Sequence, residues 1–266
     1  LVAFPTETVY GLAADASNAK AIEKLFAVKK RPRYNPLIIH VCHKEAAKKI
    51  AHIDKVADKL MENFWPGPLT LVLEGRRCKG RNICEEATSR LSTVALRMPS
   101  HPVARKLLEF CDRPLAAPSA NISGKITSTR FEDVLKRLSG KINAIIDGGP
   151  CPIGIESTII TTKDKNISIL RPGSFTLEVI EQKVGALTFR ATRYRNKIEA
   201  PGQLKSHYCP DTPLRLNVKT PQKGDVLLAF GPVPNGIKGL SISEVSSLEE
   251  GAMNLFSVLT DLDDIA

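Results

Sequence analysis

The sequence PTETVYGL, at Pro5–Leu12, follows the apolar opening Leu1–Phe4. The opening predicts a short buried strand, which Pro5 interrupts and after which Gly11 permits a turn. In a small-molecule site, this stretch would supply a wall made of Thr6, Glu7, Thr8, Tyr10 and Gly11. A plain strand and turn, with threonine present for its β-propensity, is the alternative. These residues alone leave both interpretations open.

The composition predicts a folded globular protein. The chain has 266 residues, of which 42% are hydrophobic, enough for a large buried core. No apolar run approaches the ~18 residues of a membrane span, and no signal sequence precedes the first strand. The six cysteines form no CxxC pair and lie away from the histidines, so we expect reduced thiols and no zinc or other protein metal site. The expected location is the cytoplasm.

The net charge of +10 favours polyanionic partners such as nucleotides, phosphates or RNA. Charge alone does not identify the partner, because many basic domains are merely soluble. The sequence also begins within a predicted strand and ends within a predicted helix. We therefore expect the natural protein to continue at both ends.

A cluster of cations follows the first predicted helix. Asn18 is a suitable N-cap for this helix, and Pro32 ends it. The cations at its end are Lys29, Lys30, Arg31 and Arg33. One or two cations are usual at a helix C-terminus, whereas four favour a phosphate clamp, because guanidinium and ammonium groups both suit phosphate oxygens. A solvated basic face is the alternative.

Two arginines stand at the ends of apolar strands. Arg97 ends the strand in TVALRMP, and Arg171 occupies the same position in LRPG. A buried arginine needs an anionic partner, either a protein carboxylate or a ligand. The repeated arrangement favours an anionic ligand. The small polar loop Pro118–Asn121 follows another strand, where α/β folds place ligands, although a capped turn is the better explanation of this loop taken alone.

Strands alternate with helices as far as Val184, which predicts an α/β domain with a mixed sheet. The pattern includes one long amphipathic helix over Ala46–Phe64. We assign residues 1–185 to this domain, 186–213 to a linker, and 214–266 to the start of a second, smaller α/β domain. The linker contains His207 and Tyr208, an imidazole beside a phenol, which is unusual in a passive tether.

The motifs, in this order, resemble the YrdC-like family of threonylcarbamoyl-AMP synthases in its long two-domain form. The matching stretches are PTETVYGL at Pro5, K-x-RP at Lys29, NPLIIH ending at His40, WPGPLTLVL at Trp65, TVALRMP at Thr93, APSANISG at Ala117, GIESTII at Gly154, LRPG at Leu170 and PGxxxxHYxP at Pro201. Each motif alone is weak, but the ordered set spans Pro5 to Pro210 and is specific.

The resemblance implies a twisted, open mixed sheet with helices, a linker, and a smaller Rossmann-like domain that is incomplete here. It implies a nucleotidyltransferase that joins L-threonine, bicarbonate and ATP into threonylcarbamoyl-AMP and pyrophosphate. Mg²⁺ would accompany the ATP phosphates, with no zinc and no organic cofactor. A transferase complex would then place the threonylcarbamoyl group on adenosine in tRNA, and direct tRNA contact stays open. No membrane is involved.

The resemblance also implies roles for individual residues. The L-threonine would be surrounded by Thr6, Thr8, His40, Arg97, Ser119 and Ser157. The ATP would be bound by Lys29, Arg31, Asn35, Thr93, Asn121, Thr129 and Arg171. Lys29 and Arg31 would act in catalysis by neutralising charge as pyrophosphate leaves. His207 and Tyr208 would fold over the site as a lid.

Two departures and two alternatives qualify the resemblance. The family usually continues Ser-Pro-Thr after SANISG, whereas this chain has Thr127-Ser128-Thr129, and Gln203 replaces the usual Met. A carbamoyl-adenylate module of a larger maturation protein is one alternative, but its zinc-finger cysteines are not visible in this sequence. A basic RNA-binding factor is the other, but it leaves Arg97 and Arg171 unexplained. Threonine-dependent ATP turnover separates the three.

Overall fold

The first two strands form an antiparallel hairpin around PTETVYGL. The computed structural model describes residues 1–76, 83–162, 167–185, 200–202, 208–218 and 220–266. Strand β1 is Val2–Phe4 and strand β2 is Gly11–Asp15, and Phe4 pairs with Gly11. A Cβ on Gly11 would lie 3.0 Å from the Phe4 ring, so glycine lets the two strands close against this ring.

A mixed sheet of nine strands dominates the described part of the chain, in the order β7-β1-β2-β6-β3-β5-β4-β8-β9. The remaining strands are β3 Ile38–His40, β4 Leu69–Glu74, β5 Thr93–Arg97, β6 Leu115–Ala116, β7 Ala144–Ile145, β8 Thr158–Thr161 and β9 Ser168–Arg171. The pairs β1/β7, β3/β5 and β4/β8 are parallel, and the other neighbours are antiparallel. The predicted mixed α/β sheet is confirmed.

The helices bury apolar faces against this sheet and against each other. They are α1 Ala19–Lys29, α2 Lys44–Ile50, α3 Lys55–Phe64, α4 Pro102–Cys111, α5 Phe131–Leu138 and α6 Leu177–Val184. Asn18 caps α1 as predicted, its side chain accepting a hydrogen bond from the Ala21 N–H at 3.1 Å.

The single long helix predicted over Ala46–Phe64 is wrong. The chain breaks after Ile50, because Ala51 adopts an extended conformation. Asp54 then caps α3 by accepting a hydrogen bond from the Ala57 N–H at 2.7 Å. Apolar periodicity runs through both helices and therefore hides the break, which the capping carboxylate marks.

A smaller α/β unit follows the linker. Strands β10 Leu227–Ala229 and β11 Gly239–Ser241 are parallel, and helix α7 spans Leu248–Ile265. Helix α7 packs against the large domain, where Arg130 forms an ion pair with Asp261 at 2.6 Å. Lys136 and Asp264 form a second ion pair between α5 and α7 at 2.5 Å.

Gly154 lets α7 approach the large domain. Its φ is +77°, and a Cβ there would overlap the backbone of Met253 and Ala252 in α7. We expect Gly154→Ala to lower the free energy of unfolding by about 3 kcal/mol, from the left-handed backbone and the overlap together. Urea denaturation measures this loss.

Gly140 supplies the matched control for this substitution. Its φ is +73°, and a Cβ there meets no atom within 4 Å. Gly140→Ala should therefore lower the free energy of unfolding only through the strained left-handed backbone, by about 1 kcal/mol. Equal losses in the two variants would show that α7 does not pack on Gly154 in solution.

Candidate active site

A small cavity lies on one face of the sheet, where β3 and β5 end side by side. His40 of β3 is paired with Arg97 of β5, so both side chains emerge at the same point. The cavity has a volume of about 40 Å³, roughly enough for one water molecule. Its lining includes every residue that the sequence analysis assigned to L-threonine: Thr6, Thr8, His40, Arg97, Ser119 and Ser157.

The PTETVYGL loop presents its threonines to Arg97. The Oγ1 atoms of Thr6 and Thr8 lie 2.9 Å apart, and Thr6 donates to the Val9 carbonyl at 2.6 Å. Arg97 donates from Nη1 to Thr8 Oγ1 at 3.0 Å. These contacts hold both hydroxyls in one orientation within a buried loop.

Glu7 is the charge partner of Arg97. The two side chains are almost fully buried, and Arg97 Nη2 lies 2.7 Å from Glu7 Oε1. Glu7 Oε2 also accepts the Ser100 N–H at 3.1 Å, just before α4. Burial alone would raise the pKa of Glu7, but the charge of Arg97 and its hydrogen bond outweigh burial and lower the pKa. The carboxylate is therefore ionised and tied to the site.

His40 is neutral in this setting. The side chain is buried, and its ring contacts Phe4 edge-on with centroids 6.2 Å apart. Burial, with the nearby charge of Arg97, lowers the pKa of His40 to about 3. An uncharged imidazole can offer one donor and one acceptor nitrogen, whereas an imidazolium can only donate.

The pKa of His40 gives stability a dependence on pH. The unfolded chain takes up a proton near pH 6.5, whereas the folded chain does so only near pH 3. The folded state is therefore favoured above pH 6.5, and this stability is lost as pH falls toward 3. Between pH 7 and pH 5, we expect a loss of about 2 kcal/mol from this group.

Urea denaturation of the wild type and of His40→Asn at the two pH values measures this contribution. The variant cannot titrate at this position, so its stability should change less over the interval. Other groups titrate alike in both proteins and cancel in the comparison. Parallel stability changes in the two proteins would show that His40 is not the group responsible.

Lys29 does not line the cavity. Its side chain is buried, and its ammonium group donates to the carbonyl oxygen of Ser119 at 2.6 Å and to that of Asn121. Burial, then the charge of Arg31, lowers the pKa of Lys29 well below its usual value. In this conformation Lys29 therefore holds the loop Pro118–Asn121 against the end of α1.

Arg31 reaches the cavity from the same segment. Its guanidinium donates to Asn35 Oδ1 and to the Pro36 carbonyl, both at 2.8 Å. Burial lowers the pKa of Arg31 to about 10, so the group keeps its charge at neutral pH. Asn35 thus contacts Arg31 and is itself absent from the lining of the cavity.

Arg171 lies on the opposite side of the cavity and has a carboxylate partner of its own. Its Nη1 is 2.5 Å from Glu156 Oε2, and Nη2 donates to the Ser157 carbonyl at 2.9 Å. A protein carboxylate therefore accompanies each strand-end arginine, and the interpretation that both arginines bind an anionic ligand stays a prediction. Glu7 and Glu156 already satisfy Arg97 and Arg171, respectively.

The other predicted nucleotide residues lie outside the lining. Asn121 accepts a hydrogen bond from Ser119 Oγ at 2.6 Å, and its amide braces the loop at Lys125. Thr129 is buried. Thr93 begins β5 opposite Glu74. Their roles in nucleotide binding stay predictions.

Tyr10 does not contribute to the cavity, contrary to the first-wall interpretation. Its hydroxyl donates to the Gly149 carbonyl at 2.8 Å, on the far side of the hairpin. Burial raises the pKa of Tyr10 to about 12. Tyr10 instead anchors the turn that precedes Cys151.

The described linker residues contact the rest of the chain at two points, the sheet and helix α7. Ala200 is buried against Ile38 and Ala95 on the cavity face, and Pro201 lines the cavity. Tyr208 stacks on Phe256 of α7 with centroids 4.9 Å apart. The predicted lid residue His207 lies outside the described residues.

Sequence reasoning missed the roles of Glu7 and Glu156 as partners of the strand-end arginines. Both stand in quoted motifs, PTETVYGL and GIESTII. Each of these motifs contains a single carboxylate, and each strand-end arginine needs an anionic partner, so the sequence contained the two halves of both ion pairs. Pairing them requires the sheet topology, because the partners are 90 and 15 residues apart in sequence.

No metal centre or membrane segment stands out in the described part of the chain. Within it, no group of three or more His, Cys, Asp or Glu side chains could hold a metal ion. None of the described helices is long and apolar enough to cross a membrane. The described cysteines are all free thiols.

Two family profiles match this chain. Residues 1–173 match the Sua5, YciO and YrdC family, described as telomere recombination. Residues 175–266 match the C-terminal domain of threonylcarbamoyl-AMP synthase. Together the two matches span both the large domain and the smaller unit.

Curated relatives and a solved structure agree with these matches. Threonylcarbamoyl-AMP synthase of Pyrococcus abyssi is 40% identical, with 99% of this chain and 82% of the relative covered. The Bacillus subtilis enzyme of that name is 42% identical, with 84% and 64% covered, so the chain spans less than two thirds of it. The crystal structure of P. abyssi Sua5 with L-threonine matches with a TM-score of 0.86 and 36% identity, covering 99% and 82%.

Proposed function

The chain belongs to the Sua5, YciO and YrdC family, and on this premise we propose that it is a threonylcarbamoyl-AMP synthase. The enzyme is a nucleotidyltransferase that joins L-threonine, bicarbonate and ATP into threonylcarbamoyl-AMP and pyrophosphate. The product serves the threonylcarbamoyl modification of adenosine in tRNA. The relative solved with L-threonine supports threonine as the amino acid substrate.

One observation carries the proposal: a single cavity joins small hydroxyl side chains to three arginines. The hydroxyls include Thr6 and Thr8, and the arginines are Arg31, Arg97 and Arg171. An amino acid needs a cation for its carboxylate and short polar groups for its hydroxyl, and a nucleotide needs cations for its phosphates. The cavity provides both at adjacent positions.

The threonine side of the cavity is formed by the hairpin and β5. Arg97 directs Nη1 toward the hydroxyl of Thr8, and the same guanidinium can receive the substrate carboxylate. The neutral imidazole of His40 can accept a hydrogen bond there. Fixing the amino acid in this way orients its amino group for reaction with bicarbonate to form the carbamate.

The phosphate side is formed by Arg31 and Arg171. A carbamate oxygen attacks the α-phosphorus, a new P–O bond forms, and the bond to the leaving pyrophosphate breaks. The two guanidiniums stabilise negative charge on the phosphate oxygens during this transfer. Lys29 contributes by fixing the Ser119–Asn121 loop, in addition to any direct contact with the nucleotide.

Mg²⁺ enters the proposal with the nucleotide. The described residues offer no cluster of three metal ligands, and both nearby carboxylates are ion-paired to arginine. The protein therefore offers few ligands of its own, which fits a Mg²⁺ ion held mainly by the phosphate oxygens of ATP, as is usual for this ion. The ion would neutralise phosphate charge alongside Arg31 and Arg171.

The linker acts as a lid in this proposal. We retain the division into a catalytic domain at 1–185, a linker at 186–213 and a C-terminal domain from 214. At about 40 Å³, the cavity is too small for threonine and ATP together, so Pro201 and its neighbours must move to admit them. Deletion of residues 202–210 should lower product yield while pyrophosphate release continues, because water reaches the labile adduct. An unchanged yield would reject the lid.

The product requires a partner. Threonylcarbamoyl-AMP is a mixed anhydride, so a threonylcarbamoyl transferase complex must accept it, in the cytoplasm where tRNA is modified. The net charge of +10 would favour contact with tRNA as well. The transferase follows from the proposed reaction, whereas contact with tRNA rests on the charge alone.

The deciding experiment is pyrophosphate release from ATP in bicarbonate buffer, with and without L-threonine. Release that depends on threonine supports the synthase. Release without threonine dependence would indicate a different carbamoyl substrate, as in the alternative maturation enzymes. No release from folded protein would favour the RNA-binding alternative.

A further inference from the structure

Glu156 lines the cavity together with Arg31 and Arg171. Its carboxylate is 2.5 Å from Arg171 Nη1, and Arg31 lines the same cavity. Glu156 and Arg171 are both mostly buried, with side chains 13% and 11% exposed. The pKa of Arg31 is lowered by burial, and the charge of Glu156 opposes that effect. An anion of the protein thus lines the same cavity as the two cations expected to bind phosphate.

The same carboxylate contacts the linker through Tyr208. Burial, then the charge of Glu156, raises the pKa of Tyr208 well above its usual value, and a hydrogen bond between the two side chains adds to this. The Tyr208 ring also packs on Phe256, and the next amide, Cys209 N–H, donates to the Gly124 carbonyl at 2.7 Å. Glu156 therefore joins the arginines to the lid.

The backbone around Glu156 is held firmly, which fixes the point from which its side chain reaches the arginines. Gly173 packs directly on the Glu156 carbonyl, where a Cβ would overlap it, and Ser174 N–H donates to this carbonyl at 3.2 Å. Gly154, two residues earlier, is packed under α7. Gly202 of the linker lies over Arg171, since a Cβ there would approach Arg171 Cδ to 2.7 Å.

We propose that Glu156 is a positioning residue that serves as an internal substitute for the nucleotide phosphates. In the enzyme without nucleotide, its carboxylate neutralises Arg171 and Arg31 and holds Tyr208, which keeps the lid closed. The triphosphate takes over the two guanidiniums and repels the carboxylate, so Tyr208 is released and the lid opens to admit the substrates; it closes again once L-threonine and the nucleotide are both bound. This inference rests on the proposed binding of ATP at Arg31 and Arg171.

The physical reason is competition between anions for the same cations. Two guanidiniums facing one cavity repel each other, and a fixed carboxylate offsets this repulsion when no ligand is bound. A phosphate group carries more charge and more acceptor oxygens than a carboxylate, so it can displace the internal anion. Displacing the Glu156 carboxylate costs part of the binding free energy and so weakens nucleotide binding. In return, the position of the lid depends on whether the nucleotide is bound.

Glu156→Gln tests the proposal, because it keeps the shape and the hydrogen bond to Tyr208 but removes the charge. Calorimetry with a non-hydrolysable ATP analogue should give a Kd about tenfold lower than that of the wild type, equivalent to about 1.4 kcal/mol. The Kd for L-threonine should be unchanged. Glu109→Gln is the control: it removes the same charge from an exposed ion pair with Arg105 on α4.

Hydrogen exchange of the Cys209 amide supplies the second measurement. In the wild type, the analogue should speed this exchange, because releasing Tyr208 frees the segment that Gly124 protects. In Tyr208→Phe the exchange should be fast already and respond little to the analogue. This variant keeps the ring on Phe256, so it also serves if Glu156→Gln does not fold.

The other possible results reject either the role of Glu156 or the proposed function. An equal or higher Kd in Glu156→Gln, with threonine binding intact, would overturn the internal-anion role. A higher Kd only when Mg²⁺ is present would do the same and assign the carboxylate to the metal–nucleotide complex. Failure of the wild type to bind the analogue at all would instead reject the proposed function.

Discussion

Replacing Arg97 with methionine is expected to lower the free energy of unfolding by about 3–5 kcal/mol. The substitution leaves the Glu7 carboxylate buried without its partner, which lies 2.7 Å away in the wild type. Urea denaturation at pH 7 measures the loss. The loss should shrink in acid, because burial then raises the pKa of Glu7 and the folded state binds a proton that the unfolded state does not.

A surface pair gives the control for this experiment. Arg113 and Asp15 lie 2.8 Å apart, but Arg113 is 58% exposed. Arg113→Met should therefore cost much less stability than Arg97→Met. Adding Glu7→Gln to Arg97→Met should recover part of the lost stability, because the unpaired charge is removed. Similar losses in Arg97→Met and Arg113→Met would show that the Glu7–Arg97 pair is solvated.

Replacing Arg31 with alanine is expected to lower kcat/KM for threonine-dependent pyrophosphate release about 100-fold or more. The guanidinium lines the cavity, keeps its charge at neutral pH and is oriented by Asn35. Arg31→Lys should retain only part of the rate, because an ammonium group cannot form the planar fork. Steady-state kinetics with ATP as the varied substrate measures both losses.

Arg33 is the matched control for Arg31. It is an exposed arginine two positions along the same loop. Arg33→Ala should keep the wild-type rate, and calorimetry should show that Arg31→Ala still binds L-threonine. Lys29→Ala is a less direct test, because loss of its ammonium group also leaves the carbonyls of Ser119 and Asn121 unsatisfied. Equal rates for Arg31→Ala and wild type would remove Arg31 from the phosphate side.

Much of the secondary structure was predictable from local patterns. The strand at Thr93–Arg97 and the cap at Asn18 are found where the sequence predicts them. Strand alternation and side-chain capping depend on neighbours only a few residues apart, so the sequence displays them directly. The break between α2 and α3 escaped prediction, because the apolar pattern continues across Ala51.

Several residues that line the cavity were also predictable from the sequence. The motifs that contain Thr6, His40, Arg97, Ser119 and Ser157 were identified before any geometry, and these side chains meet at one face of the sheet. Each follows or ends a strand, or lies in a polar loop beside one. The function of each side chain toward a substrate is still a prediction that the experiments above address.

The sequence by itself therefore determined the fold class, the family and part of the set of side chains that meet in the cavity. Only the tertiary structure decided that Glu7 and Glu156 neutralise the strand-end arginines and that Lys29 faces the Ser119 loop. Periodicity and caps are properties of adjacent residues, whereas an ion pair between residues 7 and 97 exists only after β1, β2, β3 and β5 take their places in the sheet. Burial then makes such distant pairs obligatory, because an unpaired charge in the core is too costly.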